Sequence, residues 1–272
     1  MNSNELYNYL QLVAEGKEKE AYELCSKDVP EVLRTYINLD DKDATSNQKK
    51  FSTLRNNELW FASTSTLNDP YELQGFYFDK EKLESGRLRN YVDKIDTIWD
   101  GYGLICFTSC SVDFLPMWAY YANNHKGFCV EFEVYNKAAI HKVFYENSRR
   151  DMTVFFEKLI DAGIDAHEKG LQNTPETKAL TALMTQNFYF KSRDWSHEKE
   201  YRIVQTIHNN KGERLPLSRF GLKTARIVAG MNCSEDSIRE LNSISNELKC
   251  GNVWCSKKSD SRFGIELYQY DS

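Results

Sequence analysis

The stretch Trp195-Ser196-His197-Glu198-Lys199-Glu200-Tyr201-Arg202 runs into a β-prone segment, Glu200–Thr206. Glu198 and Glu200 are two residues apart, so on an extended backbone their carboxylates fall on one face, roughly 6–7 Å apart by the rise of a strand. Two carboxylates so placed suit cleavage of a glycosidic bond. One stabilises the positive charge that builds on the sugar, and the other orients or deprotonates the attacking group. The same residues have a plainer use, as the solvated face of an amphipathic strand on which Glu198, Glu200 and Arg202 form an ion pair. Glu131-Phe132-Glu133 repeats the spacing, and there the regular alternation of Phe128–Val134 predicts a half-buried strand whose polar residues only fill its outer face. What separates the two pairs is their surroundings.

Upstream, Val32–Ile37 and Leu59–Ala62 read as strands, and Leu104–Ser109 as a buried one. Between the first two, Ser46 is the expected cap of a helix containing Phe51 and Leu54. Asn68-Asp69-Pro70 marks a turn. Pro116 fits the first turn of a short helix, Met117–Ala122, closed by Asn123-Asn124. Helical spacing continues over 151–164 and 175–190, and Ser234 is placed to cap a helix bearing Ile238, Leu241, Ile244 and Leu248. Ala225–Ala229, Val253–Cys255 and Gly264–Tyr268 complete the strands. Residues 5–27 carry two short apolar stripes around Gly16 and predict a helical hairpin. The expected organisation is an N-terminal hairpin over 1–29 and an α+β domain over 30–272, with a helical insertion at about 140–190. Strands and helices do not alternate, and no Gly-x-Gly-x-x-Gly follows a strand, which argues against a doubly wound dinucleotide fold.

The 272 residues are rich in aromatics and hold only five prolines, so the chain is expected to fold around one main core. No run of about 18 apolar residues occurs, and seven scattered cysteines, an odd number, fit a reducing compartment. The expectation is a soluble cytoplasmic protein with no membrane segment. A net charge of −5 argues against a broad basic surface for duplex nucleic acid, while a local groove for a single strand stays open. The cysteines and five histidines lack finger-like spacing, so no metal site is expected. No local Cys–His arrangement recommends nucleophilic catalysis.

Glu-x-Glu at the head of a hydrophobic strand resembles the signature of the ADP-ribosyltransferase superfamily, which also carries an Arg, His or Tyr on its first strand and a Ser/Thr motif on a middle one. Arg34 and Tyr36 lie on the first strand here, and Thr108-Ser109 ends a middle strand. The chain is also similar to a poorly characterised bacterial family with Trp-Phe-Ala-Ser, Asn-Asp-Pro-Tyr-Glu, Cys-Phe-Thr-Ser, Met-Trp-Ala-Tyr-Tyr, His-Lys-Gly and Trp-x-x-Glu-x-Glu-Tyr-Arg motifs, which stand at 60–63, 68–72, 106–109, 117–121, 125–127 and 195–202. Thr108-Ser109-Cys110 departs from the Ser-Thr-Ser form of the arginine-modifying toxins, so their acceptor is not carried over.

The resemblance implies a mixed or antiparallel split sheet with helical insertions, and an NAD-dependent transferase with NAD as substrate. Glu200 would stabilise the ribose cation and Glu198 assist the acceptor, with Tyr36 completing the catalytic set. Arg34, Thr108, Ser109, Tyr120, Tyr121 and His125 would hold NAD. It also implies a toxin or anti-phage effector, with an RNA or protein acceptor and a neutralising antitoxin protein as partners. Charge favours protein; the resemblance leans to RNA. Each motif has a bland alternative: aromatics of the 117–121 helix as core, His125-Lys126-Gly127 as a turn, and Asn68–Glu72 as an Asx turn. Other readings of the whole chain are a catalytically silent nucleotide- or partner-binding module and an NAD glycohydrolase.

Overall fold

In the computed structural model, which describes residues 3–83, 99–171, 174–209 and 211–271, the β-branched and aromatic runs become strands between turn residues. The chain order is α1 (Ser3–Ala14), α2 (Glu18–Ser26), β1 (Val32–Ile37), α3 (Ala44–Arg55), β2 (Glu58–Ser63), β3 (Phe76–Tyr77), α4 (Lys80–Leu83), β4 (Tyr102–Thr108), α5 (Leu115–Tyr121) and β5 (Phe128–Val134). Short strands β6 (His141–Lys142), β7 (Phe144–Glu146) and β8 (Arg150–Asp151) lead to α6 (Thr153–Glu168), α7 (Pro175–Thr185), β9 (Phe190–Ser192) and β10 (Glu200–Thr206). The chain ends with β11 (Gly212–Pro216), β12 (Leu222–Ala229), α8 (Glu235–Glu247), β13 (Trp254–Lys258) and β14 (Ile265–Gln269).

The architecture is α+β with a mixed sheet, as expected. Ser234 caps α8 by accepting the Ser237 N–H. For α3 the cap is Asp43, not Ser46: the Asp43 carboxylate accepts the Ser46 N–H at 2.9 Å, so the helix begins earlier than expected. The expected helix over 175–190 ends at Thr185, and Gln186–Tyr189 tightens into a 3-10 turn that delivers β9.

Ten of the described strands form one sheet, ordered β11-β2-β4-β1-β5-β12-β13-β14, with β10 on the other edge of β4 and β6 beyond it. Only β12 and β13 pair in parallel among the described strands of this sheet. β10 follows β4 along its whole length, from Glu200↔Thr108 to Thr206↔Tyr102. The opposite edge of β4 is shared. β1 meets it at Arg34↔Thr108, and β2 meets it at Ala62↔Leu104 and Ser63↔Gly103. Between those points neither strand pairs with β4, so the sheet is split there.

One face of the sheet presents Leu33, Phe107, Val130, Phe132, Ile203 and Ile227 to Phe51 and Leu54 of α3 and to Leu241 and Ile244 of α8, and this is the main core. The other face lies under α5, where Tyr36, Cys129 and Val228 pack against Met117 and Trp118. Both faces are therefore covered. For that reason β5 is not the half-buried strand its alternation predicts: Phe128 to Phe132 are all buried, and only Glu133 is exposed. The N-terminal helices dock on the insertion, with Tyr9, Ala21 and Cys25 packed on Ala182 of α7. No described helix is long and apolar enough to cross a membrane.

Candidate functional site

Residues directly opposite each other in antiparallel strands point to the same face. The register therefore aligns Glu200, Thr108, Arg34, Glu131 and Arg226 in one row across β10, β4, β1, β5 and β12. The split beside this row opens into a cavity of about 560 Å³ whose lining includes Arg34, Tyr36, Thr108, Tyr121, Glu198 and Glu200. The expected first-strand anchor and the Glu-x-Glu pair thus share one face and one cavity.

Within the pair the backbone is not extended as the spacing suggests. Residues Arg193–Glu198 form a 3-10 turn, and Lys199 leaves it in the left-handed region at φ 48° before β10 begins. Both carboxylates turn inward and are buried, so the solvated-face reading of this segment does not hold. Burying charge is expensive unless partners answer it. Here Lys191 Nζ lies 2.7 Å from Glu198 Oε2 and 3.2 Å from Glu200 Oε2. Arg202, fully buried, donates to Glu200 through Nε at 2.7 Å and Nη2 at 3.0 Å. Its Nη1 reaches Glu72 at 2.6 Å and the Phe188 carbonyl at 2.7 Å. Tyr121 donates its hydroxyl to Glu198 Oε1. The Glu200 N–H donates to the Tyr145 hydroxyl at 2.9 Å. Three carboxylates face two cations, a formal excess of one negative charge.

Burial alone would raise the Glu200 carboxyl, but the Arg202 and Lys191 charges outweigh it and bring it down to about 2. Lys191 goes the other way: burial would lower it, and Glu200 and Glu198 lift it well above the ordinary lysine range. Glu200 is thus a permanent anion at neutral pH, suited to stabilising a cation and unsuited to proton transfer.

The remaining expected residues divide. The Thr108 hydroxyl donates to the Glu198 carbonyl at 2.5 Å and accepts from the Cys110 N–H at 2.9 Å, so it locks the Glu198 turn onto β4. Arg34 lines the cavity, yet its Nε pairs with Glu131 at 2.6 Å and its Nη1 donates to the Cys110 carbonyl at 2.8 Å. Glu131, expected on an outer face, is instead buried between Arg34 and Arg226, because α5 covers that side. The Tyr36 hydroxyl is buried beside the Cys129 thiol, and its ring meets Trp118 edge-on at 5.0 Å. Ser109, Tyr120 and His125 are not among the cavity-lining residues. Ser109 Oγ sits 3.4 Å from the Lys199 carbonyl. Tyr120 is 64% exposed on the outside of α5. His125 stacks on Trp118 at 5.9 Å, and Asn123, Asn124 and His125 all have positive φ. They build the turn into β5, in which a Cβ on Gly127 would stand 2.0 Å from the Ile37 carbonyl oxygen.

The sequence reading does not single out Lys191 or Tyr145 as parts of the site, and it takes the motif that holds Glu72 as an Asx turn in preference to a cleft lining. Lys191 directly follows Phe188-Tyr189-Phe190, and that is its only signal. Asn68–Glu72 does contain the expected Asx turn, with the Tyr71 N–H on Asp69 Oδ1 at 2.9 Å, but the turn also aims Glu72 at Arg202. Among the described residues no group of three or more His, Cys, Asp or Glu is arranged to hold a metal ion.

Residues 117–203 match the model of a family described as "Protein of unknown function (DUF2971)". The matched span runs from α5 into β10 and contains Tyr121, Lys191, Glu198, Glu200 and Arg202. No curated protein matches the chain, and no solved structure does.

Proposed function

We propose that the protein is an NAD-dependent ADP-ribosyltransferase. The observation that carries this reading is the Glu200 carboxylate, held ionised on the wall of the cavity by Arg202 and Lys191. Breaking the bond between ribose C1′ and the nicotinamide nitrogen sends the electron pair to nicotinamide and leaves positive charge on the ribose. A fixed anion in a water-poor site lowers the energy of that state. The acceptor then bonds to C1′ and gives up its proton to solvent. Glu198, beside the Tyr121 hydroxyl, orients the acceptor. A cavity of about 560 Å³ is within the range of small-molecule and cofactor sites. A macromolecular acceptor, RNA before protein, and a role as a toxin or anti-phage effector restrained by an antitoxin follow from the resemblance alone.

A second reading, a nucleotide-binding module without catalysis, is favoured by one observation: both Glu200 oxygens are already engaged by Arg202 and Lys191. The two are separated by incubating the protein with labelled NAD and cell extract. Label in RNA or in protein supports transfer, and free ADP-ribose alone supports hydrolysis. Intact NAD with both wild type and Glu200→Gln leaves only the binding module.

A further inference from the structure

The cavity has a second chemical character where α3, β2 and β11 line it. There its lining includes Lys49, Lys50, Glu58, Trp60 and Arg214. Lys50 Nζ is held by the Asn38 carbonyl at 2.9 Å and by Asn38 Oδ1 at 3.0 Å. Arg214 Nη2 donates to the Lys49 carbonyl at 3.1 Å, which ties β11 to α3. None of the three cations forms an ion pair among the described residues, an unusual concentration in a chain of net charge −5. Burial holds the Lys50 ammonium below the ordinary lysine range, with the charges of Asp43 and Asp40 acting the other way.

Two further groups sit beside these cations. Glu58 Oε2 is buried without a hydrogen-bond partner among the described residues, an acceptor left open on the cavity wall. Trp60 stands opposite Arg214 in the β2–β11 ladder, so their side chains share a face. Its indole lies against Gly212, where a Cβ would meet the ring at 2.4 Å, and the residue is 46% exposed. Cations outside any ion pair suit phosphate oxygens. An open carboxylate oxygen suits a ribose hydroxyl donor, and an exposed indole offers a surface on which a base stacks.

We infer that the α3 side of the cavity is a subsite for a nucleoside diphosphate, with Lys50 and Arg214 on the phosphates, Glu58 on the ribose and Trp60 under the base. This deepens the proposed function and rests on its reading of the cavity as a nucleotide site: it assigns the ADP half of the substrate to α3, β2 and β11 and leaves the scissile bond to Glu200.

Calorimetric titration with ADP and with adenosine tests the assignment. Wild type should bind ADP more tightly than adenosine. Lys50→Ala with Arg214→Ala should weaken ADP by roughly 100-fold, about ten-fold per charged contact, and leave adenosine nearly unchanged. Trp60→Ala should weaken both. Arg214→Glu, on an unaltered melting temperature, should weaken ADP further than Arg214→Ala. Equal ADP affinity in wild type and double variant overturns the subsite, as does no ADP binding by wild type. Nicotinamide release from NAD is measured alongside. If it persists while the double variant binds ADP normally, the transferase reading stands without this subsite. If ADP binding behaves as expected but NAD stays intact, the subsite stands and the catalytic reading falls.

Discussion

Arg202 holds Glu200 by two hydrogen bonds of 2.7 and 3.0 Å, both ends of the pair buried and both residues on the same face of β10. Two residues apart on one strand, they set the carboxylate's orientation without help from any loop. The arrangement makes the site and the stability of the fold inseparable at this point, because Arg202 also carries the link to Glu72 and to the Phe188 carbonyl.

Arg202→Leu should therefore destabilise strongly. Removing one partner of a buried ion pair leaves uncompensated charge and costs about 3–5 kcal/mol. Arg202→Lys should recover little, because an ammonium cannot reproduce the two-pronged grip on Glu200 while reaching Glu72. Chemical denaturation read by circular dichroism checks both.

Tyr121→Phe removes one donor from Glu198 while Lys191 remains on the same carboxylate. The fold should lose about 1 kcal/mol. Transfer to the acceptor should slow roughly ten-fold with the KM for NAD little changed, the pattern of an interaction that matters after binding. Steady-state kinetics with labelled NAD measures it.

Glu131 Oε1 and Oε2 answer Arg34 and Arg226 on neighbouring strands. Glu131→Gln should cost about 2–3 kcal/mol, because two cations then share a neutral partner at a site of which one side is buried. Urea titration gives the loss directly. An unchanged midpoint would make Glu131 the surface residue that its spacing predicts.

The apolar runs of β1, β5 and β10 were legible because turn residues bound them, and Ser234 was legible because a cap acts locally. Glu131 was not. Period-two alternation says which residues share a face but not whether a second layer covers it, and the covering helix α5 and the partner Arg34, 97 residues away, are both non-local. Lys191 was hidden for a related reason: a lysine after three aromatics reads as an irregularity until the carboxylates it bridges are known. Of the expected site, Arg34, Tyr36, Thr108, Tyr121, Glu198 and Glu200 come together at the cavity. His125 and Ser109 do not, because their motifs are turn chemistry, and Tyr120 points outward because consecutive residues on a helix face different ways.

Stability should fall with acid in two stages. His141 is buried between the rings of Tyr189 and Tyr22, with Arg202 opposite it in the β6–β10 ladder, and burial lowers it to about 4. Its unfolded value is about 6.5, so the unfolded chain binds the proton first, and stability falls from about pH 6.5 down to about pH 4, by roughly 3 kcal/mol. Glu200, at about 2 in the fold, loses its contribution as pH falls from about 4.3 through that value. Melting curves of wild type and His141→Phe across pH 4–7 check the first stage: the variant should lack it. Parallel slopes would exclude His141 as the source.

The central claim is that the fixed Glu200 anion stabilises positive charge on ribose. The rate of nicotinamide release from NAD, compared between wild type and a Glu200→Gln variant confirmed as folded by its circular dichroism spectrum, tests it most directly. The predicted result is release by wild type and a loss of at least about 10²–10³-fold in kcat for the variant, the size expected when one electrostatic group of the transition state is removed. Equal rates in the two proteins, or no release by either, would contradict it.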